Sequence, residues 1–342
     1  MMKKPFFTAN SAFLTILFVV ALGFSNGALA SEGTSEAEPE KFNANEVIIE
    51  HVLDDHQWHF ADHLVLPLPI IVYSSERGLE VFSSSHFYDE HHNKVEYNGY
   101  KMEGRDIFLT ASGQKALDLS ITKNVAMLFI NAGVLLLVFF SVAKAYKRNP
   151  GKAPKGLQSF IEPIVVFVRD EIVKPNIGHH YQKYLPYILT LFFFILFGNL
   201  LGLLPGAANL TGNIAVTLTL AVFTFIITNV SGNGSYWKHI FWTPGVPLPL
   251  RLIILPVEII GIFTKPFALT IRLFVAITAG HIVLLSLICM TFIFQRWDVG
   301  IGSSIVVLFI NLIELLVAGI QAYVFALFTS LYIGMATAED HH

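Results

Sequence analysis

One long apolar stretch governs the architecture of this chain: residues 252–294 read LIILPVEIIGIFTKPFALTIRLFVAITAGHIVLLSLICMTFIF, with only three Asp, Glu, Lys or Arg in 43 residues. As a helix this stretch would be about 64 Å long, roughly twice the thickness of a bilayer's hydrocarbon core. Residues 301–335 form a second such stretch, about 52 Å long by the same rise. Neither can stand upright in a membrane. We expect each either to break into a hairpin, with Pro256 and Pro266 as possible kink points, or to lie steeply tilted.

The composition places the whole chain in the same class. Of its 342 residues, 54% are hydrophobic and 14% are charged, against about 25% charged in an ordinary soluble domain. The mean hydropathy is +0.60. These values exclude a disordered protein, a basic nucleic-acid binder and most soluble enzymes. The single cysteine, Cys289, lies in an apolar run, which excludes an intrachain disulfide and a cysteine-based metal site.

The charges divide the chain into two bodies. Residues 31–120 hold 17 acidic and 6 basic side chains, a net charge of −11, whereas the remainder holds 8 and 16, a net charge of +8. We therefore expect an acidic, His-rich soluble module at 31–120 and a lipid-embedded domain at 121–342.

The first thirty residues have the form of a secretory signal peptide. Lys3 and Lys4 precede an uncharged run of 13 residues, Ala12–Phe24, and Ala28–Ala30 has the small-x-small form of a cleavage site. An uncleaved anchor is the alternative. Both interpretations place the acidic module outside the cytoplasm.

The acidic module is predicted to be a small α+β unit after a poorly ordered lead-in. Residues Glu46–Phe60 have the spacing of one short amphipathic helix. Leu64–Tyr73 has a β-like composition broken by two prolines. Within Lys94–Glu103, Asn98–Gly99 predicts a hairpin turn between short strands.

Histidines and acids at the start of this module suggest a metal site, although the pattern assigns no ligand. The group is His51, His56, His59 and His63 with Asp54, Asp55 and Asp62. At helical spacing His56, His59 and His63 would share one face. The alternative is a solvated acidic surface, so we predict no metal and no cofactor.

The second body contains three shorter membrane spans before the two long stretches. They are predicted at Val125–Val142, Leu185–Leu204 and Gly212–Val230, with an interfacial amphipathic helix at Gly156–Ile172. The first span is followed by five bases, Lys144, Lys147, Arg148, Lys152 and Lys155, which should remain cytoplasmic. About five spans in all place the C-terminus in the cytoplasm.

A few ionisable groups stand where lipid should be, and such groups are functional candidates by default. Arg272 has no acid nearby in its own stretch, and His281 follows nine residues later, about 180° around a helix. Glu314 and Gln321 lie seven residues apart and share a polar, small-residue stripe with Asn311 and Ala318.

These groups favour a proton path. A guanidinium stays charged and can act only as a fixed barrier, whereas Glu314 and His281 can take up and release protons. Two alternatives remain open. One is a structural Arg272–Glu314 ion pair, and the other is a secondary ion transporter, although the chain shows no internal repeat of the kind such transporters contain.

The chain resembles subunit a of F-type ATP synthases, over residues 120–338 approximately. The resemblance is carried by Pro256-Val-Glu-Ile-Ile260, Lys265-Pro266, Ile271-Arg-Leu-Phe274, Ala279-Gly-His-Ile-Val283, Glu314, Gln321-Ala-Tyr-Val-Phe325, Leu200-Leu-Gly-Leu-Leu-Pro205 and Thr211-Gly-Asn-Ile-Ala-Val-Thr217. It implies an all-α polytopic membrane protein of about five membrane helices, the last two long and tilted against a rotor ring.

The resemblance also implies roles for individual residues. The family's essential arginine falls on Arg272, and its half-channel groups fall on His281, Glu314 and Gln321, where other members exchange Glu and His between the two helices. One departure is Ala276, which stands where the family usually has Asn. Any contribution from that amide is either missing in this chain or supplied elsewhere, with Asn213 and Asn311 as the candidates.

The implied function is that of a stator subunit, which is not an enzyme on its own, needs no cofactor and forms the two proton half-channels. Its partners would be the c-ring, the peripheral stalk subunit b, the remaining F1Fo complex and membrane lipid, with protons or sodium as the coupling ion and no nucleic acid. The location would be the bacterial inner membrane, with the module of 31–120 outside. That module and the signal peptide resemble extensions of only some bacterial members.

Overall fold

The computed structural model describes residues 53–61, 64–74, 77–88, 94–148, 150–204, 206–242 and 247–338. The predicted signal peptide, the lead-in at 31–45 and the last four residues lie outside the described residues.

The described part of the acidic module is built from seven short strands. They are β1 (Gln57–Ala61), β2 (Leu64–Pro67), β3 (Pro69–Ser74), β4 (Gly78–Ser83), β5 (Tyr100–Glu103), β6 (Asp106–Leu109) and β7 (Leu117–Asp118). β1 pairs with β2, β3 lies between β4 and β7, and β5 pairs with β6, all antiparallel. Alternate residues of β3, Ile70 and Val72, are fully buried against Phe87, Tyr100 and Ile107.

The predicted helix at Glu46–Phe60 is wrong where the structure describes it, because Gln57–Ala61 is strand β1. The strand is selected by its partner: Trp58 lies opposite Leu66 and Gln57 opposite Pro67 in β2. Helical spacing within Glu46–Phe60 does not show that a strand partner follows. Pairing with that partner overrides the weak helical preference of the segment. A helical face shared by His56 and His59 is wrong for the same reason, and His63 lies outside the described residues.

The predicted turn at Asn98–Gly99 is confirmed, but its strand pairing differs. Asn98 and Gly99 both have positive φ, 49° and 75°, as a two-residue hairpin turn of this kind requires. On the N-terminal side only Tyr97 bridges Tyr100. The ladder of β5 forms instead with β6, around a second tight turn at Gly104.

The rest of the described chain is helical. The helices are α1 (Lys123–Arg148), α2 (Leu157–Phe167), α3 (Lys174–Ile177), α4 (Tyr181–Gly202), α5 (Ile214–Val230), α6 (Gly234–Phe241), α7 (Leu248–Phe294) and α8 (Trp297–Thr337), with a π-helical turn at Val168–Val173 between α2 and α3. Four helical stretches are long and apolar enough to cross a membrane, or five if α5 and α6, bent by 101°, count as one span. The predicted polytopic helical fold is thus confirmed.

The two long stretches remain unbroken, so of the two alternatives the one in which each folds into its own hairpin is wrong. α7 runs for 47 residues through Pro256 and Pro266, and α8 runs for 41. Gln295 ends α7 in the left-handed region at φ 47°. Its neighbour Arg296 is extended, so the chain reverses and α8 returns along α7. Near this turn the hydroxyls of Thr291 and Ser303 are 2.6 Å apart.

Candidate functional site

Arg272 lies on α7 and packs on an aromatic ring of α8. Its guanidinium carbon is 4.3 Å from the centroid of the Phe328 ring. The Arg272 side chain is exposed, and among the described residues no carboxylate pairs with it. The alternative of an Arg272–Glu314 ion pair therefore does not hold.

Glu314 is buried on α8 against the backbone of α7. Its side chain is 8% exposed, and neither carboxylate oxygen has a hydrogen-bond partner among the described residues. A methyl group placed on Gly280 would lie 2.7 Å from Glu314 Oε1, so an alanine here would require the Glu314 carboxyl to move. Gly280 is eight residues, or about 12 Å of helix, from Arg272. The two ionisable sites are therefore distinct.

Of the other predicted site residues, His281, Asn311 and Gln321 lie on the same two helices as this contact. His281 is half-buried and follows Gly280, so it shares the helical turn against which Glu314 packs. Asn311 and Gln321 are half-buried on α8, on either side of Glu314 and the buried Ala318. Asn213 lies elsewhere, as the cap of α5, where its Oδ1 accepts a hydrogen bond from the Ala215 amide at 2.9 Å.

Asn199 on α4 is a residue that the sequence analysis missed. Its side chain is 2% exposed. Its amide donates to the Ala318 carbonyl of α8 at 3.3 Å, and its Oδ1 accepts from the Thr211 hydroxyl at 2.6 Å. The signal was present, because an Asn inside an apolar span is costly unless it is bonded. The sequence does not show, however, that its partner is Ala318, which lies one helical turn from Glu314.

A second polar region lies further along the α7–α8 hairpin. The Lys265 ammonium is 5.5 Å from the centroid of the Tyr332 ring. A small, open pocket at this position is lined by groups from α5 to α8, including Thr228, Asn229 and Tyr236. The Thr228 hydroxyl is buried and has no partner among the described residues.

The acidic module packs on the membrane domain rather than standing free of it. The Trp58 indole donates to the Gly206 carbonyl, in the loop between α4 and α5, at 2.6 Å. Trp58 and Leu68 form one apolar cluster with Met127, Ala208 and Leu210. Asp54 accepts hydrogen bonds at the start of α1, from the Thr122 hydroxyl at 2.7 Å and the backbone N–H of Asn124 at 3.1 Å.

Of the histidines considered for a metal site, His56 has a different role. It is 3% exposed, and its Nε2 lies 2.8 Å from Asp118 Oδ2. Burial alone would raise the pKa of the Asp118 carboxyl, but hydrogen bonds from His56 and Ser120 lower it overall. Within the described residues, no three His, Cys, Asp or Glu side chains converge as metal ligands would.

Comparison with known proteins agrees with this architecture. The family model described as ATP synthase A chain matches residues 125–334, and a model described as a domain of unknown function (DUF8433) matches residues 47–128.

The chain is similar to the ATP synthase subunit a of Chloroherpeton thalassium, with 40% identity over 89% of this chain and 79% of the relative. It is 38% identical to that of Chlorobium phaeobacteroides strain DSM 266, over 98% and 88%. With the protein named ATP synthase subunit a from an Anaeromyxobacter species the identity is 41%, over 83% and 70%.

The fold and site define a class: polytopic membrane proteins in which two long antiparallel helices carry isolated ionisable groups. Within that class, the chain belongs to the ATP synthase A chain family. Its role is that of the proton-channel stator subunit of the ATP synthase membrane sector.

Proposed function

We propose that Arg272, His281, Glu314 and Gln321 carry out proton translocation in this chain, with Asn311 as a supporting polar group. The observation that carries the proposal is the separation of two sites on one hairpin. Arg272 is exposed without a carboxylate partner among the described residues, and Glu314 is buried without any hydrogen bond there.

Arg272 acts as a fixed positive barrier. A rotor carboxylate must be neutral to face lipid, because an isolated carboxylate costs many kcal/mol to bury. Beside the Arg272 guanidinium that carboxylate can be ionised. It releases its proton to one half-channel and is reprotonated from the other after nearly a full turn, and Arg272 prevents direct leakage between the two.

Glu314, His281 and Gln321 line the access path on the extracytoplasmic side. Both Glu314 and His281 can exchange protons, and the contact of Glu314 with Gly280 brings the carboxyl to the turn of α7 that carries His281. Gln321 lies two helical turns along the same stripe. Its amide can hold water in the path.

The surroundings follow from this role. The chain makes no ATP itself and converts ion flow into rotation of the c-ring. The peripheral stalk holds the chain in place, and the complex lies in the bacterial inner membrane. The acidic module of 31–120 lies outside and the C-terminus is cytoplasmic in this proposal, which is supported by the bases that follow α1.

The test is an Arg272→Ala variant in the assembled complex. ATP-driven proton pumping in membrane vesicles should fall to background while the subunits still assemble, because the charge that keeps the half-channels apart is gone. Arg272→Lys should also fail, since lysine lacks the planar fork and loses its charge more readily when desolvated.

Arg296→Ala is the matched control. Arg296 lies in the turn between α7 and α8, where it pairs with Asp298 at 2.7 Å, and its loss should leave pumping intact. Normal coupled pumping by Arg272→Ala would contradict the proposed function.

A further inference from the structure

Two cations of α7 rest on two aromatic rings of α8. Arg272 lies over Phe328 at 4.3 Å and Lys265 lies near Tyr332 at 5.5 Å. The cations are seven residues apart, on one face of α7, and the rings are four residues apart on α8, with centroids separated by 5.9 Å.

The shorter of these contacts involves the proposed barrier residue. We infer that Phe328 is a positioning residue for Arg272, holding the guanidinium by its flat face while leaving its N–H donors available to the rotor carboxylate. This inference rests on the proposed function and deepens it.

The geometry of a guanidinium explains why a ring suits this task. All five N–H donors lie in the plane of the group, at its edges. A carboxylate partner would occupy those edges, whereas an aromatic ring attracts the cation through its electron-rich face. Among the described residues, Arg272 has the ring of Phe328 and no carboxylate. The donors therefore remain free for bidentate binding to a passing acid.

Phe328 is more buried than Arg272, as expected if the ring positions the guanidinium. Phe328 is half-buried in the hairpin, where its ring also packs on Tyr332. Arg272 is exposed on the same hairpin. A long, flexible side chain at an exposed position loses rotamer freedom when it must be held in place, and a ring fixed by packing supplies that restraint. The contact between Lys265 and Tyr332 repeats the same α7–α8 pairing further along the two helices.

The experiment replaces Phe328 in the assembled complex with phenylalanines carrying one, two or three ring fluorines. Fluorine withdraws electron density from the ring face and weakens cation binding while changing side-chain shape little. Coupled proton pumping should fall stepwise with fluorine number, by about 2- to 30-fold in total, the factor associated with loss of one cation–π contact. Phe328→Trp should retain pumping, and Phe328→Leu should match the trifluoro variant.

Phe325 provides the matched control, because it lies on the same helix, is 2% exposed and has no cation over its ring among the described residues. Trifluorination there should leave pumping unchanged. A flat response across the Phe328 series, or an equal loss at Phe325, would overturn the inference. With Arg272→Ala inactive in the same vesicles, either result would reject the role of Phe328 and leave the proposed function intact.

Discussion

At the scale of single residues, the contact with Gly280 determines where the Glu314 carboxyl lies. The buried carboxyl lies 2.7 Å from the position that a Cβ at Gly280 would take, so a larger residue there must push the Glu314 side chain aside. The side chain is held between two helices, and the missing methyl group of Gly280 creates its place.

The first prediction concerns this glycine. Gly280→Ala should lower proton translocation in an assembled complex, because the new methyl group would displace the Glu314 carboxyl. ATP-driven pumping in vesicles measures it. Gly133→Ala on α1, where nothing lies within 4 Å of an added Cβ, should pump normally. Unchanged pumping by Gly280→Ala would show that the position of the carboxyl does not matter.

The second prediction concerns proton exchange between the two helices. Glu314→Gln should slow proton flow strongly, because an amide cannot take up a proton. The double exchange of His281→Glu with Glu314→His should recover part of the activity lost in the single variants, since the two groups would titrate as a coupled pair. Proton flux through the membrane sector, with the headpiece removed, is the measurement. A double variant no better than the worse single one would mean that the residues share no path.

At the scale of elements, α8 is held in register by contacts from both sides. α7 runs beside it through the pairs Thr291–Ser303, Gly280–Glu314 and Arg272–Phe328. On its other side, Asn199 ties α4 to the Ala318 carbonyl. Buried hydrogen bonds of this kind fix a helix lengthwise, which apolar packing alone does weakly.

The third prediction tests that tie. Asn199→Leu removes a bond to Ala318 and leaves the Thr211 hydroxyl buried without its acceptor, so the chain should be destabilised by about 1–3 kcal/mol. The measurement is the temperature at which the subunit leaves the purified complex. Thr219→Val, which removes only an exposed bond within α5, should shift that temperature little. An equal shift in both variants would contradict a special role for Asn199.

At the scale of the whole molecule, the acidic module and the membrane domain share an apolar contact. Trp58 and Leu68 pack on Met127, Ala208 and Leu210, and the Trp58 indole is bonded to Gly206. The module is thus attached to the loop between α4 and α5 as well as through the chain. Its net charge of −11 offers a second role, since it could raise the cation concentration within about 8 Å, a Debye length at physiological salt.

The fourth prediction separates these roles. Deletion of residues 32–115 should reduce the amount of assembled complex, because it exposes the apolar partners of Trp58 on the membrane domain. Complex yield and the ATP synthesis rate at several salt concentrations are the measurements. The control, Glu96→Gln with Glu103→Gln, removes exposed charge and should preserve both yield and rate. Full assembly after the deletion, with a rate that falls only at low salt, would favour the electrostatic role.

Much of this protein follows from local properties of its chain. Long apolar runs predict membrane helices because any uncompensated polar backbone in lipid is costly. Arg272, His281, Glu314 and Gln321 stand out for the same reason, as expensive groups in apolar runs. Helical spacing alone places Glu314 and Gln321 on one stripe, and their exposure agrees with it.

Tertiary structure alone decided the pairings. The strand at Gln57–Ala61 forms by pairing with the strand that follows it. The placement of Glu314 on Gly280, the position of the Arg272 guanidinium over the Phe328 ring and the bond from Asn199 to Ala318 join residues distant in the chain. Helical periodicity states which residues share a face, but it does not state the axial register between two helices. That register is set by the turn at Gln295–Arg296 and by the packing of side chains along both helices.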